Sequence, residues 1–246
     1  MPGEHGDKAT RARSFGAAAE AYERARPGYP DEAVDWLLPE GARTVLDLGA
    51  GTGKLTRALV ARGLEVVAVE PLREMRERLA ATLPEVRAVP GTAEEIPLPD
   101  DSVDAITVAQ AWHWVDPERA TAEAARVLRP GGTLGLIWNR RDERVDWVVR
   151  LTEVMGSAEV EVMDMSAVEI GPPFGTTQSF VTDWQRPMDV DLLVEMAASR
   201  SYVITATPRR RAKILDGVRR TVEADPHLGT EFDLPYETYC YRAALP

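Results

Sequence analysis

The chain has 246 residues, which is long enough for one large α/β domain with room for a small additional segment. Its 40 acidic residues outnumber 29 basic residues, and the formal net charge is −11. Such a balance argues against an extended phosphate-binding surface, which needs clustered lysines and arginines, so nucleic acid is not expected as a substrate.

No signal in the sequence indicates a membrane or an oxidising compartment. Residues Met1 to Thr10 are polar and lack the apolar segment of a signal peptide. No apolar run approaches the roughly 20 residues that span a bilayer. Cys240 is the only cysteine, which excludes an internal disulfide, and we expect it to be a buried strand residue. These features predict a cytoplasmic protein.

Two helices are predicted ahead of the first strand. Ser14 is a suitable N-cap for a helix from Phe15 towards Ala25, in which apolar side chains recur at helical spacing. The segment 27–30, rich in proline, ends this helix. Asp31 then caps a second helix that runs through Leu38.

An apolar strand and a glycine-rich turn follow at Val45–Gly53, and a second apolar strand ends in Glu70. This order predicts one βαβ unit of a nucleotide-binding fold. The glycines let the backbone approach a ligand closely because they carry no Cβ atom. A carboxylate about 20 residues beyond the turn is placed to accept hydrogen bonds from ribose hydroxyls. The sequence therefore indicates a cofactor of the adenosine type.

The spacing inside the turn argues against a cofactor held through phosphate groups. The dinucleotide fingerprint G-x-G-x-x-G/A needs glycine or alanine where this chain has Lys54. A P-loop needs glycine where the chain has Leu48 and a hydroxyl where it has Leu55. Asp47, immediately ahead of the turn, disfavours phosphate and suits the ammonium group of an amino acid. The combination points to S-adenosylmethionine, whose tail is a zwitterion without phosphate.

Four segments in order resemble the class I S-adenosylmethionine-dependent methyltransferases of the type 11-like group, and the resemblance covers most of the chain. Asp47–Gly53 matches the first motif of that family and Glu70–Pro71 the second. Gly91–Asp104 is similar to its adenine-contacting segment, and Arg126–Gly132 to the turn before its fifth strand. The resemblance implies an α/β, Rossmann-like fold: a seven-stranded, mostly parallel sheet with helices on both faces, an antiparallel last strand and a small helical lid.

Strands and helices alternate regularly from residue 44 to residue 138, which predicts a parallel sheet covered on both faces. Ligands bind at the carboxyl ends of such strands. The predicted strands are Thr44–Asp47, Glu65–Glu70, Val86–Val89, Asp104–Ala109 and Thr133–Trp138, and the predicted helices between them are Gly53–Arg62, Leu72–Thr82 and Pro117–Leu128.

Beyond Asn139 the pattern is less regular, and Gly156–Thr177 is predicted to be irregular. Arg209, Arg210 and Arg211 are predicted to form the solvated first turn of a helix after Pro208. The predicted helices are Asp146–Met155, Asp189–Ser199 and Arg209–Ala224, and the predicted strands are Ser179–Pro187 and Tyr236–Ala243. We expect a single methyltransferase domain with cap helices at 1–40, a cofactor-binding core at 41–155, a lid and substrate region at 156–210, and a C-terminal helix and strand at 211–246.

The resemblance also implies which residues hold the cofactor. Glu70 is expected at both ribose hydroxyls, Leu72 at one face of the adenine, and Ala93 and Glu94 at its edge. The family often has aspartate where this chain has Thr92, which leaves the exocyclic amine to Glu94 or to a backbone carbonyl. No metal is expected. The full set is Asp47, Gly49, Ala50, Gly51, Gly53, Glu70, Pro71, Leu72, Thr92, Ala93, Glu94, Ala109, Gln110 and Ala111.

Trp112, His113 and Trp114 follow the fourth predicted strand, where the methyl group meets its acceptor in the resembled family. The two tryptophans are interpreted either as walls of the cofactor pocket or as substrate contacts. His113 is a candidate catalytic base, since an imidazole with an ordinary pKa of about 6.5 accepts a proton at neutral pH. Orientation of the substrate is its alternative role. A carboxylate acceptor would need no base.

The N-terminal residues Phe15, Tyr22, Arg26, Pro27, Tyr29 and Pro30 resemble a bacterial and fungal subgroup related to trans-aconitate methyltransferases, in which an N-terminal helix closes over the cofactor. Arg26 is a candidate partner for the cofactor's carboxylate or for an acidic acceptor, with a surface salt bridge as the alternative. The candidates for the substrate side or the cap are Tyr22, Arg26, Tyr29, Trp112, Trp114, Asn139, Arg140, Ser199 and Tyr202.

The leading hypothesis is transfer of a methyl group from S-adenosylmethionine to a small molecule, with O-methylation favoured and S-adenosylhomocysteine as product. The alternative keeps the cofactor but catalyses a rearrangement or cyclisation of a natural product. A nicotinamide oxidoreductase conflicts with Lys54, and a non-catalytic partner subunit conflicts with the segment Trp112–Trp114. We expect no nucleic-acid partner, no membrane partner, and a monomer or homodimer.

Overall fold

The structure is a computed structural model that describes residues 26–156 and 164–246. Contacts divide these residues into two units. The first, here called the sheet unit, contains residues 28–141, 164–184 and 236–246; the second, the helical unit, contains residues 26–27, 142–156 and 185–235. The helix predicted after Ser14 lies outside the described residues.

The described elements are, in chain order, α1 (Asp31–Leu37), β1 (Thr44–Leu48), α2 (Lys54–Val60), β2 (Glu65–Val69), α3 (Arg73–Thr82), β3 (Arg87–Val89), β4 (Val103–Ala109), a 3-10 turn (Trp112–Trp114), α4 (Pro117–Val127), β5 (Leu128–Arg141), α5 (Asp146–Met155), a second 3-10 turn (Met165–Ala167), β6 (Gln178–Asp189), α6 (Val190–Ala198), α7 (Ser201–Ile204), α8 (Pro208–Glu223) and β7 (Glu231–Ala244).

The seven strands form one sheet in the order β3-β2-β1-β4-β5-β7-β6. Strands β3, β2, β1, β4 and β5 pair in parallel, and β7 runs antiparallel to β5. The strand order reverses between β1 and β4, the place where open α/β sheets bind ligands. The predicted Rossmann-like α/β fold with an antiparallel last strand is therefore confirmed.

Side chains on both faces of the sheet are buried, as expected for parallel strands. Leu46 and Leu48 of β1 join Ile106 of β4 in one apolar cluster. Val45, one residue away from Leu46, faces the other way and joins Ile137 of β5 in a second cluster with residues of α1 and α2. Helices therefore cover both faces, and the binding edge is left at the strand ends.

Cys240 lies in the middle of β7 and is fully buried, as predicted. It stands opposite Ile137 of β5, and its thiol is 3.8 Å from the carbonyl oxygen of Ala33. Burial raises the pKa of this thiol to about 12. The side chain is thus a small apolar component of the core.

Two element boundaries near the glycine turn differ from the prediction. Helix α2 begins at Lys54, because Gly53 is its N-cap and has a left-handed backbone with φ of +92°. Strand β2 ends at Val69, so Glu70 is the first residue after the strand. Both shifts place the predicted ligand-binding residues in the loops rather than in the elements.

The start of β5 was predicted wrongly as a turn over Arg126–Gly132. Helix α4 ends at Val127 and the strand begins at once with Leu128. The backbone N–H of Gly131 donates to the carbonyl of Leu245, and the N–H of Leu245 donates to the carbonyl of Gly132. The C-terminal residues therefore supply the hydrogen bonds that keep this segment extended.

In the helical unit, two helices begin one residue away from their predicted starts, and a side chain caps each of them. Asp189 accepts from the N–H of Leu192 and is the N-cap of α6 rather than its first residue. Thr207 caps α8 in the same way.

The side chains of Arg209–Arg211 are exposed, as predicted. Strands β6 and β7 are longer than predicted, and no helix within the described ranges is long and apolar enough to cross a bilayer.

Replacement of Gly53 by alanine should destabilise the protein more than the same change at Gly63. Both glycines have left-handed backbones, with φ of +92° and +74°, which cost an alanine about 1–2 kcal/mol. A Cβ atom at Gly53 would also lie 3.1 Å from Leu79 and 3.2 Å from Leu83, whereas nothing lies within 4 Å at Gly63. We expect a further loss of about 1–3 kcal/mol for Gly53→Ala. Urea unfolding of both variants measures the difference, and equal losses would contradict it.

Candidate active site

The glycine turn after β1 is attached to the end of β2 by backbone hydrogen bonds. The N–H groups of Gly49 and Ala50 both donate to the carbonyl of Val69, at 2.8 and 3.1 Å. Gly49 has φ of +70°, and a Cβ atom there would lie 3.1 Å from the Cβ of Ala111. Only glycine combines this backbone with this close approach. The turn is therefore held open at the strand ends.

Glu70 continues this attachment through its side chain, which is 6% exposed. One carboxylate oxygen accepts from the N–H of Gly51 and the other from the N–H of Leu72, each at 2.9 Å. Each carboxylate oxygen has a second lone pair, so both can still accept from a ligand hydroxyl. Arg76 donates to the backbone carbonyls of Glu70 and Pro71, both at 2.7 Å, and supports the segment from outside.

Asp47 is fully buried below the turn. Its Oδ2 accepts from the hydroxyl of Thr56 at 2.5 Å, and its Oδ1 has no hydrogen-bond partner among the described residues. Burial raises the pKa of Asp47 to about 7, against the lowering effect of the hydrogen bonds from Thr56 and with a small further increase from the charge of Glu70. A donor or a positive charge near Oδ1 would therefore be stabilising.

Gly49, Glu70 and Leu72 line a cavity of about 430 Å³ in the sheet unit, within the usual range of about 300–1,000 Å³ for small-molecule sites. Nine of its lining residues belong to the predicted set: Gly49, Glu70, Pro71, Leu72, Thr92, Ala93, Glu94, Ala111 and Trp114. Four further lining residues were not predicted: Leu48, Gly91, Val108 and Val115.

All four of these residues adjoin predicted ones in sequence, and that adjacency was the available signal. Gly91 also has a packing reason, since a Cβ atom there would lie 2.6 Å from the ring of Pro97. Val108 precedes Ala109 on β4, where its sequence context looks like ordinary core.

The outer wall of the cavity is apolar and unusually exposed. Leu72 is 54% exposed and Trp114 is 69% exposed, although large apolar side chains are usually buried. Both line the cavity. Exposed apolar surface at a cavity mouth is typical of a ligand site.

Glu94 lines the cavity from the loop between β3 and β4. Its carboxylate accepts from the N–H of Asp116 at 2.9 Å. Burial alone would raise the pKa of Glu94, but the hydrogen bonds from Asp116, from its own N–H and from Thr92, together with the charge of Arg119, lower it. Glu94 is therefore an ionised acceptor at neutral pH.

Arg126 holds the loop that carries these residues. Its guanidinium donates to the carbonyls of Ile96 and Leu98 and forms ion pairs with Glu123 and Asp100. Three of these contacts, to Ile96, Leu98 and Asp100, fix the loop against α4, and Glu123 lies on α4 itself. The loop thus presents Thr92 to Glu94 from a supported position.

The segment Trp112–Trp114 forms one 3-10 turn, and its aromatic side chains separate. Trp112 is 8% exposed and joins the core cluster, whereas Trp114 lines the cavity. The ring of His113 lies 4.7 Å from that of Trp114 at 45°. The pocket-wall interpretation therefore describes Trp114, and Trp112 packs the core.

Gln110 joins this turn to β4 in a conformation that is rare for a residue other than glycine, with φ of +58°. Its N–H donates to the carbonyl of Ile137 at 2.9 Å, which holds the chain in place. Strained backbone of this kind costs about 1–3 kcal/mol and is concentrated at functional sites. Among the predicted residues that the structure describes near this site, those that do not line the cavity are Asp47, Ala50, Gly51, Gly53, Ala109, Gln110, Trp112 and His113.

Asn139 is occupied by structural hydrogen bonds. Its amide nitrogen donates to the carbonyl of Gly28 and its amide oxygen accepts from the hydroxyl of Thr238, both at 2.7 Å. The same hydroxyl accepts from the indole of Trp184 at 2.8 Å. These hydrogen bonds link Asn139 on β5 to Thr238 on β7. They explain the position of the Asn139 side chain without a contact to substrate.

The remaining predicted substrate-side residues are distributed over both units. In the helical unit, the guanidinium of Arg26 donates to the carbonyl of Ser199 at 3.0 Å, and Tyr202 lies on α7. In the sheet unit, Tyr29 packs against the second apolar cluster and Arg140 lies on β5 opposite Glu237. Tyr22 lies outside the described residues.

S-adenosylmethionine fits the residues that form this site. Among the described residues, the lining contains two carboxylates, Glu70 and Glu94, and no lysine or arginine. Such a lining repels phosphate and accepts hydroxyl, amino or cationic groups. The unsatisfied oxygen of Asp47 suits an ammonium group, and the apolar side chains of Leu72 and Trp114 suit an aromatic base.

Comparison with known proteins agrees with this geometry. A family described as a methyltransferase domain matches residues 46–136. An uncharacterised methyltransferase of Mycobacterium tuberculosis is 56% identical over 234 residues, which cover 94% of this chain and 96% of the relative. An uncharacterised methyltransferase-like protein of Schizosaccharomyces pombe is 33% identical over 223 residues, covering 85% and 87% of the two chains.

A solved structure is also similar over nearly its full length. It is a proposed type II methyltransferase from Anaeromyxobacter dehalogenans, with a TM-score of 0.70 and 25% identity over 89% of this chain and 98% of that chain.

The buried carboxyl of Asp47 should make the folded protein less stable as pH rises from about 4 to about 7, relative to an Asp47→Asn variant. The pKa is about 7 in the folded state and 3.8 ordinarily, so in this window the folded state retains a proton that the unfolded state loses. The stabilisation is complete below the lower value and is lost at a slope of at most about 1.4 kcal/mol per pH unit.

Urea unfolding of both proteins at several pH values measures this slope. Asp216→Asn, the same change at an exposed position, is the control, and its effect on stability should vary less with pH than that of Asp47→Asn. A flat difference for Asp47→Asn as well would contradict the prediction.

Proposed function

Since the chain belongs to the class I S-adenosylmethionine-dependent methyltransferases, we propose that it methylates a small-molecule acceptor and that the methyl group goes to an oxygen atom. The observation that carries the proposal is the cavity at the strand ends, with two carboxylates, apolar walls and no cation among its described lining residues. When bound, S-adenosylmethionine supplies a methyl group already activated on a sulfonium and leaves as S-adenosylhomocysteine.

The residues of this site would each bind a different part of S-adenosylmethionine, according to their chemistry. Glu70 would accept from both ribose hydroxyls with its free lone pairs, and Leu72 and Trp114 would enclose the adenine. Glu94 offers an ionised acceptor for the exocyclic amine of the adenine. It would take the role of the aspartate that the family often has where this chain has Thr92. Asp47 would accept from the ammonium group with Oδ1, directly or through water.

Positioning is the main catalytic contribution asked of such a site, because the donor is already reactive. Gly49 and Gln110 hold the turn and the end of β4 in backbone conformations that few residues adopt. These two loops border the cavity from neighbouring strands, β1 and β4. A rigid edge of this kind keeps a bound donor in one orientation.

His113 supports an oxygen acceptor over other acceptors. It adjoins Trp114 in sequence, and its ring lies 4.7 Å from the indole of Trp114, which lines the cavity. A neutral imidazole there would take the proton of a hydroxyl acceptor as the new oxygen–carbon bond forms. The relatives are named methyltransferases, which favours methyl transfer over a rearrangement without it.

Glu70→Gln should weaken binding of S-adenosylhomocysteine at least tenfold. The glutamine amide nitrogen cannot accept, so either Gly51 or Leu72 loses its acceptor and the ribose loses one as well. Isothermal titration of the parent protein and the variant measures the change. Glu74→Gln, which removes the same charge from an exposed position on α3, should bind like the parent protein. Absence of binding by the parent protein would refute the proposed cofactor site.

His113→Gln should slow methylation of hydroxyl acceptors and leave carboxylate acceptors unaffected. Initial rates of S-adenosylhomocysteine formation with a panel of phenols, alcohols, carboxylic acids and amines first identify the acceptor class. With a hydroxyl acceptor, kcat should fall about 10²-fold or more, because a glutamine side chain cannot take the proton. His227→Gln, at an exposed position, is the control. An unchanged rate with hydroxyl acceptors would show that His113 is not the base.

A further inference from the structure

A second cavity lies in the helical unit, between the end of α5 and one face of α8. Its volume is about 530 Å³, in the same range as small-molecule sites. We call it the α5/α8 groove, and its lining residues are Glu153, Val154, Met155, Gly156, Arg210, Lys213, Ile214, Gly217 and Arg220.

The helical spacing brings the cations of α8 to the same side of the helix. Arg210, Lys213, Gly217 and Arg220 follow one another at intervals of three, four and three residues, which is the repeat of one helix face. From Arg210 to Arg220 the helix rises about 15 Å. The groove therefore has two cations near one end and one at the other.

The floor of the groove is apolar. Ile214 is 7% exposed and Met155 is 1% exposed. At Gly217 the helix approaches α5 so closely that a Cβ atom would lie 2.5 Å from Val154. The exposed cations thus stand at the rim of an apolar floor, an arrangement that suits an amphipathic anion.

Within residues 26–156 and 164–246, no carboxylate forms an ion pair with Arg210, Lys213 or Arg220. Other arginines of this unit are paired: Arg219 with Asp191 at 2.8 Å and Arg150 with Asp225 at 2.6 Å. Glu153 shares the rim of the groove but is not within ion-pair distance of the three cations. Their charges are therefore available to a ligand.

Arg220 lies in the last turn of α8, where a cation is favourable, but helix stability does not explain Arg210 at the other end. The first turn of α8 contains Arg209 to Arg211 and no acidic residue. The amino end of a helix favours negative charge, so cations there are slightly destabilising. They are also exceptional in a chain whose formal net charge is −11.

We propose that the α5/α8 groove binds a small organic anion, with a phosphate or carboxylate group held by Arg210 and Lys213 and an apolar stem lying over Ile214 and Met155. Arg220 would hold a second polar group at the far end. The size of the groove and the negative charge of the rest of the chain favour a small ligand over a nucleic acid or an anionic membrane.

Hexyl phosphate, hexanoate and inorganic phosphate are suitable probes, and isothermal titration at low salt measures their binding to the full chain. We expect hexyl phosphate to bind more tightly than inorganic phosphate, because only the former uses the apolar floor. The comparison with hexanoate shows which anionic group is preferred, and binding of either probe supports the proposal. Equal affinity for hexyl phosphate and inorganic phosphate, or no binding of any probe, would overturn it.

Two matched double variants test the location. Arg210→Gln with Arg220→Gln removes two arginines that line the groove, and Arg209→Gln with Arg211→Gln removes two from the same helix that do not. The first pair should raise the Kd of hexyl phosphate at least fivefold, and the second less than twofold. Equal effects would mean a diffuse charge effect and would overturn the site.

Two further measurements complete the test. Binding of S-adenosylhomocysteine should be unchanged in both double variants, since none of these arginines lines the cofactor cavity. Retention on phosphatidylglycerol vesicles that depends equally on both arginine pairs would assign the helix face to a membrane and overturn the small-ligand proposal.

Discussion

The carboxylate of Glu70 connects the two loops on which the cofactor site depends. One oxygen holds the glycine turn after β1 and the other holds the chain that leads into α3, through backbone N–H groups at 2.9 Å. The N–H groups of Gly49 and Ala50 add two hydrogen bonds from the glycine turn to Val69 at the end of β2. A ligand that hydrogen-bonds to Glu70 therefore meets an acceptor whose position is already determined, so little ordering is needed on binding.

Charge explains why this edge of the sheet selects its donor. Many α/β sheets bind phosphate at the same edge, with helix N-termini and cations. Here the described lining carries Glu70 and Glu94, and a third carboxyl, Asp47, is buried below the turn. The site attracts a ligand that brings hydroxyls, an amine and a positive charge. The fold is shared with dinucleotide enzymes, and the side chains at its edge make the difference.

Local patterns made the alternation of strands and helices, the glycine turn and nine of the cavity-lining residues predictable, because Asp47, Gly49 and Glu70 act within about 20 residues of one another. The opposite directions of Trp112 and Trp114 depend on packing across the sheet and leave no local signal. The hydrogen bonds of Asn139 also leave no local signal, since its partner Thr238 lies 99 residues away. The extended start of β5 likewise depends on Leu245, close to the end of the chain.

The reactivity of the Cys240 thiol reports how often the centre of the sheet opens. Thiol reagents attack the thiolate, and this thiol is sealed in the centre of the sheet with a pKa of about 12. Labelling therefore requires β7 to separate from β5. Because the chain has one cysteine, the labelling signal comes from a single site. The labelling rate measures how often the innermost part of the sheet is exposed, as the hydrogen-exchange rate of the slowest amides does.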